Sequence, residues 1–237
     1  MGRGRRLLGA CLAAAMLSGC AMEGPAAPAD GEAEIPAEKL IAITFDDGPR
    51  RDTTERLLDG LRERGAKATF FLIGRQIAGN EDLVERMAAE GHQVGGHTWN
   101  HVRLLGVTQD TLRNEVERTE EALEELLGPG DYWLRPPYGA VDEADRTLIR
   151  TPMIKWSVDP RDWEKLDTGQ VVSSVLEAVE PDQIILLHDI YPTSVDAALE
   201  IVDTLQGEGY RFVTVRELLE ANGIDPLPGV LYCSGDT

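Results

Sequence analysis

The residues best suited to chemistry fall in five short clusters. Asp46 and Asp47 stand side by side in Thr44-Phe45-Asp46-Asp47-Gly48-Pro49. His97 and His101 close the two ends of His97-Thr98-Trp99-Asn100-His101. Arg135 opens Arg135-Pro136-Pro137-Tyr138-Gly139, and Asp159 and Asp162 bracket Pro160-Arg161 ahead of Trp163. His188 ends the apolar stretch Leu186-Leu187-His188. Two imidazoles four residues apart can face the same way on a helical turn and reach one ion. Taken singly, each cluster also has a plainer explanation. Asp-Gly-Pro is good turn chemistry, a Pro-Pro loop is rigid scaffolding, and a histidine at the polar end of an apolar strand is often structural.

The elements that must position these groups alternate along the chain. Apolar runs at Leu40–Phe45, Ala68–Leu72, Gln93–Gly96, Tyr132–Leu134, Met153–Val158, Gln183–Leu187 and Arg211–Thr214 read as strands. Helical patterns lie between them. One starts with capping chemistry at Asp52-Thr53-Thr54-Glu55 and stops at Gly65, and another is bounded by Thr108 and Gly128. Further helices are expected at Glu81–Glu90, Asp142–Arg150, Thr168–Val179, Thr193–Gln206 and Val215–Ala221. Strands alternating with helices predict an α/β fold with a parallel sheet. The span is shorter than the usual eightfold barrel of about 250 residues. The expectation is therefore a distorted, compact (β/α) barrel of about seven strands, with the site at the C-terminal ends of the strands.

That expectation ties the clusters together, because all five sit at or just beyond those strand ends. They also hold three of the four histidines in the chain, so they are unlike a random scatter. The fourth, His92, reads as a surface residue beside the helix-ending Gly91.

The set resembles the polysaccharide deacetylases, carbohydrate esterase family four. That family carries Thr-Phe-Asp-Asp-Gly, His-(Ser/Thr)-x-x-His, Arg-x-Pro-Tyr, Asp-x-x-Asp-Trp and Leu-x-His in this order, and Thr44–Gly48, His97–His101, Arg135–Tyr138, Asp159–Trp163 and Leu186–His188 match them. The resemblance spans Leu40 to Gly223. It implies that Asp47, His97 and His101 hold one divalent metal ion, with zinc first and cobalt, nickel, iron or manganese also compatible. It implies Asp46 as general base fixed by Arg135, and His188 as general acid fixed by Asp162. The Tyr138 N–H would stabilise the oxyanion, and Trp163 and Leu186 would wall the acetyl pocket.

Arg3, Arg5 and Arg6 precede an apolar run from Leu7 to Leu17, too short to span a bilayer comfortably. Leu17-Ser18-Gly19-Cys20 resembles a bacterial lipobox. The expected organisation is a lipoprotein-type signal at 1–19, lipid attachment at Cys20 and a flexible tether at 20–38. A catalytic domain at 39–223 and a tail at 224–237 follow. With Cys11 in the signal and Cys20 as anchor, Cys233 has no disulfide partner. The formal net charge of −19 argues against nucleic-acid partners and against charge-driven binding to anionic lipid.

The expected function is removal of acetyl groups from N-acetylated polysaccharide, either peptidoglycan or chitin-like oligomers. The protein would be exported and monomeric, held to the membrane by lipid alone and facing the cell wall. Two alternatives are an O-acetyl (xylan) esterase and a non-catalytic glycan-binding wall protein.

Overall fold

A computed structural model describes residues 38–236. The signal, Cys20 and the tether up to residue 37 lie outside the described residues. The central strand, β1 (Lys39–Asp46), is buried from Leu40 onward, as a strand covered on both faces must be. It pairs in parallel with β2 (Thr69–Leu72) and β5 (Ile184–His188), and through Lys39–Ile41 with β6 (Tyr210–Phe212). β3 (Gln93–Gly96) adds in parallel to β2. A second short pair joins β4 (Met153–Ile154) to β7 (Leu231–Tyr232).

This is an α/β fold with parallel strands, as expected. The named ladders do not by themselves close a barrel. Single parallel bridges continue the circuit from Gly96 to Leu134, from Leu134 to Met153, and from Val158 to Ile185 of β5.

Helices α1 (Arg51–Glu63), α2 (Glu81–Ala89), α3 (Gln109–Leu127), α4 (Asp162–Lys165), α5 (Thr168–Ala178), α6 (Pro192–Gly207) and α7 (Val215–Ala221) follow the strands. The period of two along β1 splits its side chains between two cores. Ile41, Ile43 and Phe45 join Leu57, Leu61, Phe70 and Ile201 in one cluster. Leu40 and Ala42 join Phe71, Trp133, Val215 and Leu218 in the other. Burying each such leucine or phenylalanine contributes about 1.5–3 kcal/mol. Thr44 and Asp46 share the parity of Ala42, so one partner can bond both. Among the described residues, no helix is long and apolar enough to cross a membrane.

Several local expectations change. α1 has Arg50 at its N-cap with no side-chain cap, and Thr54 Oγ1 instead accepts the Arg50 N–H at 2.8 Å. The strand expected at Tyr132–Leu134 contracts to a bridge at Leu134, and Met153–Val158 to β4 plus a bridge at Val158. The helix expected at Asp142–Arg150 is a 3-10 stretch, Glu143–Leu148. Pro129, Pro136, Pro137 and Pro152 fall in this region, and each removes a ladder donor and fixes φ. The stretch expected as a tail contributes β7, with Tyr232 buried. His92 is buried, not on the surface. Its Nδ1 accepts the Ala68 N–H at 3.1 Å and its ring meets the edge of Phe70. Burial, the largest influence, lowers its pKa to about 4.

Candidate active site

Parallel pairing brings the C-terminal ends of β1, β2, β3 and β5 to one end of the sheet. Asp46 and His188, the last residues of β1 and β5, are direct register partners. His97 follows β3, and its N–H donates to the Leu72 carbonyl at 2.7 Å. The five clusters thus meet at a cleft of about 420 Å³, lined by Asp46, Asp47, His97, His101, Tyr138, Trp163, Leu186 and His188. Arg135 and Asp162 lie fully buried behind it.

Asp47, His97 and His101 each offer an atom within 4.8 Å of the others. His101 Nε2 lies 3.3 Å from Asp47 Oδ1, and His97 Nε2 lies 3.6 Å from both Asp47 Oδ1 and Asp46 Oδ2. His97 Nδ1 sits 2.6 Å from the Arg135 carbonyl oxygen. That oxygen can only accept, so Nδ1 carries the proton and Nε2 presents a lone pair. Burial, opposed by Asp47, holds His101 below the usual histidine range and so favours its neutral form. Asp47 Oδ1 is buried and accepts no hydrogen bond among the described residues. Lone pairs of two imidazoles and a carboxylate thus converge with no donor between them. This is a donor set that fits a catalytic divalent ion, with positions left open for water and substrate.

The backbone around this triad is held in an uncommon conformation. Asp47, Thr98, His101 and Tyr138 have φ of 72°, 62°, 62° and 61°, in the left-handed region that non-glycine residues avoid. Neighbours enforce it. The Asp47 carbonyl accepts Gln76 Nε2–H at 2.9 Å, and the Thr98 carbonyl accepts the Gly74 N–H at 3.0 Å. The buried Glu115 carboxylate of α3 accepts the Asn100 N–H at 2.7 Å and its Nδ2–H at 2.8 Å, pinning the loop between the two histidines. A Cβ on Gly48 would lie 2.5 Å from Oδ1 of buried Asp189, so this turn needs a glycine.

Arg135 Nη1 donates to Asp46 Oδ1 at 2.8 Å and to Thr44 Oγ1 at 2.7 Å, while Nη2 donates to the Lys155 carbonyl at 2.8 Å. Its guanidinium also stacks 4.2 Å from the Phe71 ring centroid. Arg135 thus fixes one oxygen of the Asp46 carboxylate and leaves Oδ2 directed at the cleft.

On the other side, His188 Nδ1 and backbone N–H both lie 2.8 Å from the Asp162 carboxylate. Burial is the largest single influence on His188 and disfavours its charge. The hydrogen bond and charge of Asp162, with Asp46 and Asp47, outweigh it and push the imidazole up to about 9. The Tyr138 N–H meets no acceptor among the described residues, because the turn is closed by Gly139 and Ala140 donating to Pro136 and Pro137. Leu186 is buried against the cleft, whereas Trp163 is exposed at its wall rather than in the core.

Sequence reasoning gave no role to Thr44, the Lys155 carbonyl, Trp156, Tyr191, Glu115 or Asp189. Trp156 and Tyr191 line the cleft. A signal for Thr44 was its parity with Asp46. Glu115 lies mid-helix among other acidic residues and carries no such signal.

The family model for polysaccharide deacetylases matches residues 33–151. The peptidoglycan-N-acetylglucosamine deacetylase PgdA of Listeria monocytogenes is 39% identical over 188 residues, covering 78% of this chain and 40% of that protein. The chain therefore spans less than half of that relative. A peptidoglycan-N-acetylglucosamine deacetylase of Bacillus cereus is 37% identical over 195 residues, covering 78% of this chain and 91% of that protein. The solved structure of a family 4 acetyl xylan esterase from Clostridium thermocellum, in complex with a cobalt ion, matches with a TM-score of 0.79 at 29% identity, covering 84% of this chain and 100% of that one. By family model, by relatives and by fold, this chain belongs to the polysaccharide deacetylase family.

Proposed function

We propose that the protein is a metal-dependent hydrolase that removes acetyl groups from N-acetylated wall polysaccharide, with peptidoglycan as its substrate. One arrangement carries this reading. The Asp47, His97 and His101 triad shares a cleft with a carboxylate held by arginine on one side and a histidine held by aspartate on the other. The names of the Listeria and Bacillus relatives support the choice of polymer.

A divalent ion held by Asp47, His97 and His101 supplies Lewis acidity to the acetyl carbonyl and to a water beside it. Asp46, held in place by Arg135, takes the proton from that water as it attacks the carbonyl carbon. The Tyr138 N–H donates to the developing oxyanion. His188 has its Nδ1 committed to Asp162, so its Nε2–H gives the proton to the departing sugar nitrogen as the C–N bond breaks. Leu186 and Trp163 enclose the acetyl methyl. Arg135 orients the base, and Asp162 orients the acid and favours its charged form.

We place lipid on Cys20, with residues 1–19 as an export signal, residues 20–38 as the link to the catalytic domain, and the monomer facing the wall. Radiolabelled palmitate carried by the wild type and absent from Cys20→Ala tests the anchor. Zinc is our first choice of ion. Release of acetate from N-acetylglucosamine oligomers and purified peptidoglycan by the full chain tests the reaction. Chelator must abolish release, metal must restore it, and Asp46→Asn must lack it. Binding without release would instead favour a glycan-binding wall protein.

The likeness to the acetyl xylan esterase supports a second reading, in which the leaving group is an alcohol. Faster release from acetylated xylan than from either N-acetylated polymer would establish it.

A further inference from the structure

The cleft continues onto a shelf of about 460 Å³ lined by His101, Arg103 and Tyr138. Two loops build it, joined by the parallel bridge Leu104↔Val141, and the Gly106 N–H donates to the Asp142 carboxylate at 2.7 Å. The Tyr138 ring packs 5.0 Å from that of His101, yet the residue is 64% exposed. An aromatic face presented in this way suits the apolar face of a sugar ring.

Arg103 is one of several exposed arginines among the described residues that have no carboxylate partner, and it is the one that lines this shelf. In a chain with 42 acidic and 23 basic residues, about half of the exposed arginines among the described residues find a carboxylate. Arg51, Arg56, Arg62, Arg113, Arg161 and Arg211 do, whereas Arg50, Arg75, Arg118 and Arg150 do not and lie away from this shelf. Arg103 is exposed and has no hydrogen bond or ion pair among the described residues. A guanidinium left free beside a cleft, in a protein of this charge, is a fork available to an anion on the substrate.

We propose that this shelf binds the sugar next to the one being deacetylated, and that Arg103 selects a carboxylate carried by it. The chemical class is a glycan with carboxylate substituents. The carboxylate has two sources in wall polymer: the lactyl ether of a muramic acid stripped of peptide, and the peptide stem itself. The inference rests on the deacetylase reading above and specifies its substrate. It also gives the anionic substrate a local contact in a field that otherwise repels it.

The test compares kcat/KM on three soluble substrates: neutral N-acetylglucosamine oligomers, peptide-stripped wall glycan and peptide-bearing wall glycan. Wild type, Arg103→Ala, Arg103→Lys and Arg103→Glu are measured as full chains. Arg103→Ala is expected to lower the ratio of acidic-glycan to neutral-oligomer kcat/KM by about 3- to 10-fold, mainly through KM, as loss of a partly solvated charge pair should. Arg103→Glu lowers the ratio further, and Arg103→Lys recovers part of it. A loss confined to stripped glycan names the lactyl carboxylate, and one confined to peptide-bearing glycan names the stem. An unchanged ratio, or equal losses on neutral and acidic substrates, overturns the proposal. Absence of acetate release by the wild type would instead count against the deacetylase reading. Calorimetric binding of the stripped glycan to wild type and Arg103→Ala then decides the role of Arg103, with equal affinities overturning it.

Discussion

The backbone carbonyl of Arg135 lies 2.6 Å from Nδ1 of His97. The same residue's guanidinium holds Asp46 at 2.8 Å. One residue therefore orients the proposed metal ligand His97 through its main chain and the proposed base Asp46 through its side chain. The two functions separate in Arg135→Lys, which keeps the carbonyl and loses the fork. Metal affinity should be retained while kcat falls about 100-fold, the cost of a misplaced catalytic group. Parallel metal titrations and initial rates check this. Loss of metal binding in step with kcat would refute the separation.

Asp46→Asn and His101→Ala should fail differently. The amide cannot take a proton, so kcat should fall about 100- to 10,000-fold with the metal still bound. His101→Ala should lose metal and activity together. Metal content by mass spectrometry after gel filtration distinguishes them, and a metal-free Asp46→Asn would contradict the assignment of Asp46 as base.

Glu115 lies outside the Asp47–His97–His101 cluster but holds Asn100 between the two histidines. Glu115→Ala should weaken metal affinity about 10-fold or more, the usual scale for groups that orient ligands. Glu115→Gln, which keeps one accepting oxygen, should recover part. The measurement is competition with a chromophoric chelator. Equal affinity in all three proteins would remove Glu115 from the site.

The His188–Asp162 pair sets a pH signature. With His188 pushed up to about 9, turnover should persist above neutrality and decline as pH passes about 9, because the acid must carry its proton. Asp162→Asn should move that alkaline limb to lower pH. The same raised value stabilises the folded chain. The contribution is complete below the ordinary histidine value of 6.5 and is lost as pH rises to about 9. Urea unfolding of chelated protein at pH 6 and pH 10 should show a drop that is smaller in Asp162→Asn. An identical drop in both proteins would exclude the pair as its source.

Much of the site could be read from the chain because parallel β/α topology gathers strand ends on one side. Asp46, His97 and His188 each sit at or just after a recognisable apolar run, so their convergence followed from the fold class. The partners that fix them were harder to see. Glu115 reaches Asn100 across a loop, and the Lys155 carbonyl reaches Arg135 as main chain, which no side-chain pattern records. β7 pairs with β4 across more than 70 positions, and Leu231–Tyr232 is too short to declare itself a strand. His92 looked like a solvent-facing turn residue because its acceptor role for Ala68 depends on the strand next door.

The left-handed backbone at Asp47, Thr98, His101 and Tyr138 sets two kinds of selection against each other. Glycine adopts that conformation freely, whereas each of these side chains holds it against a preference of about 1 kcal/mol or more. A library sorted on melting temperature alone would drift toward glycine at these positions and, once Asp47 or His101 is replaced, accumulate proteins that fold well without the proposed metal triad. Hardening this scaffold for use therefore has to proceed elsewhere, on the outer helices, with these four loop positions held fixed.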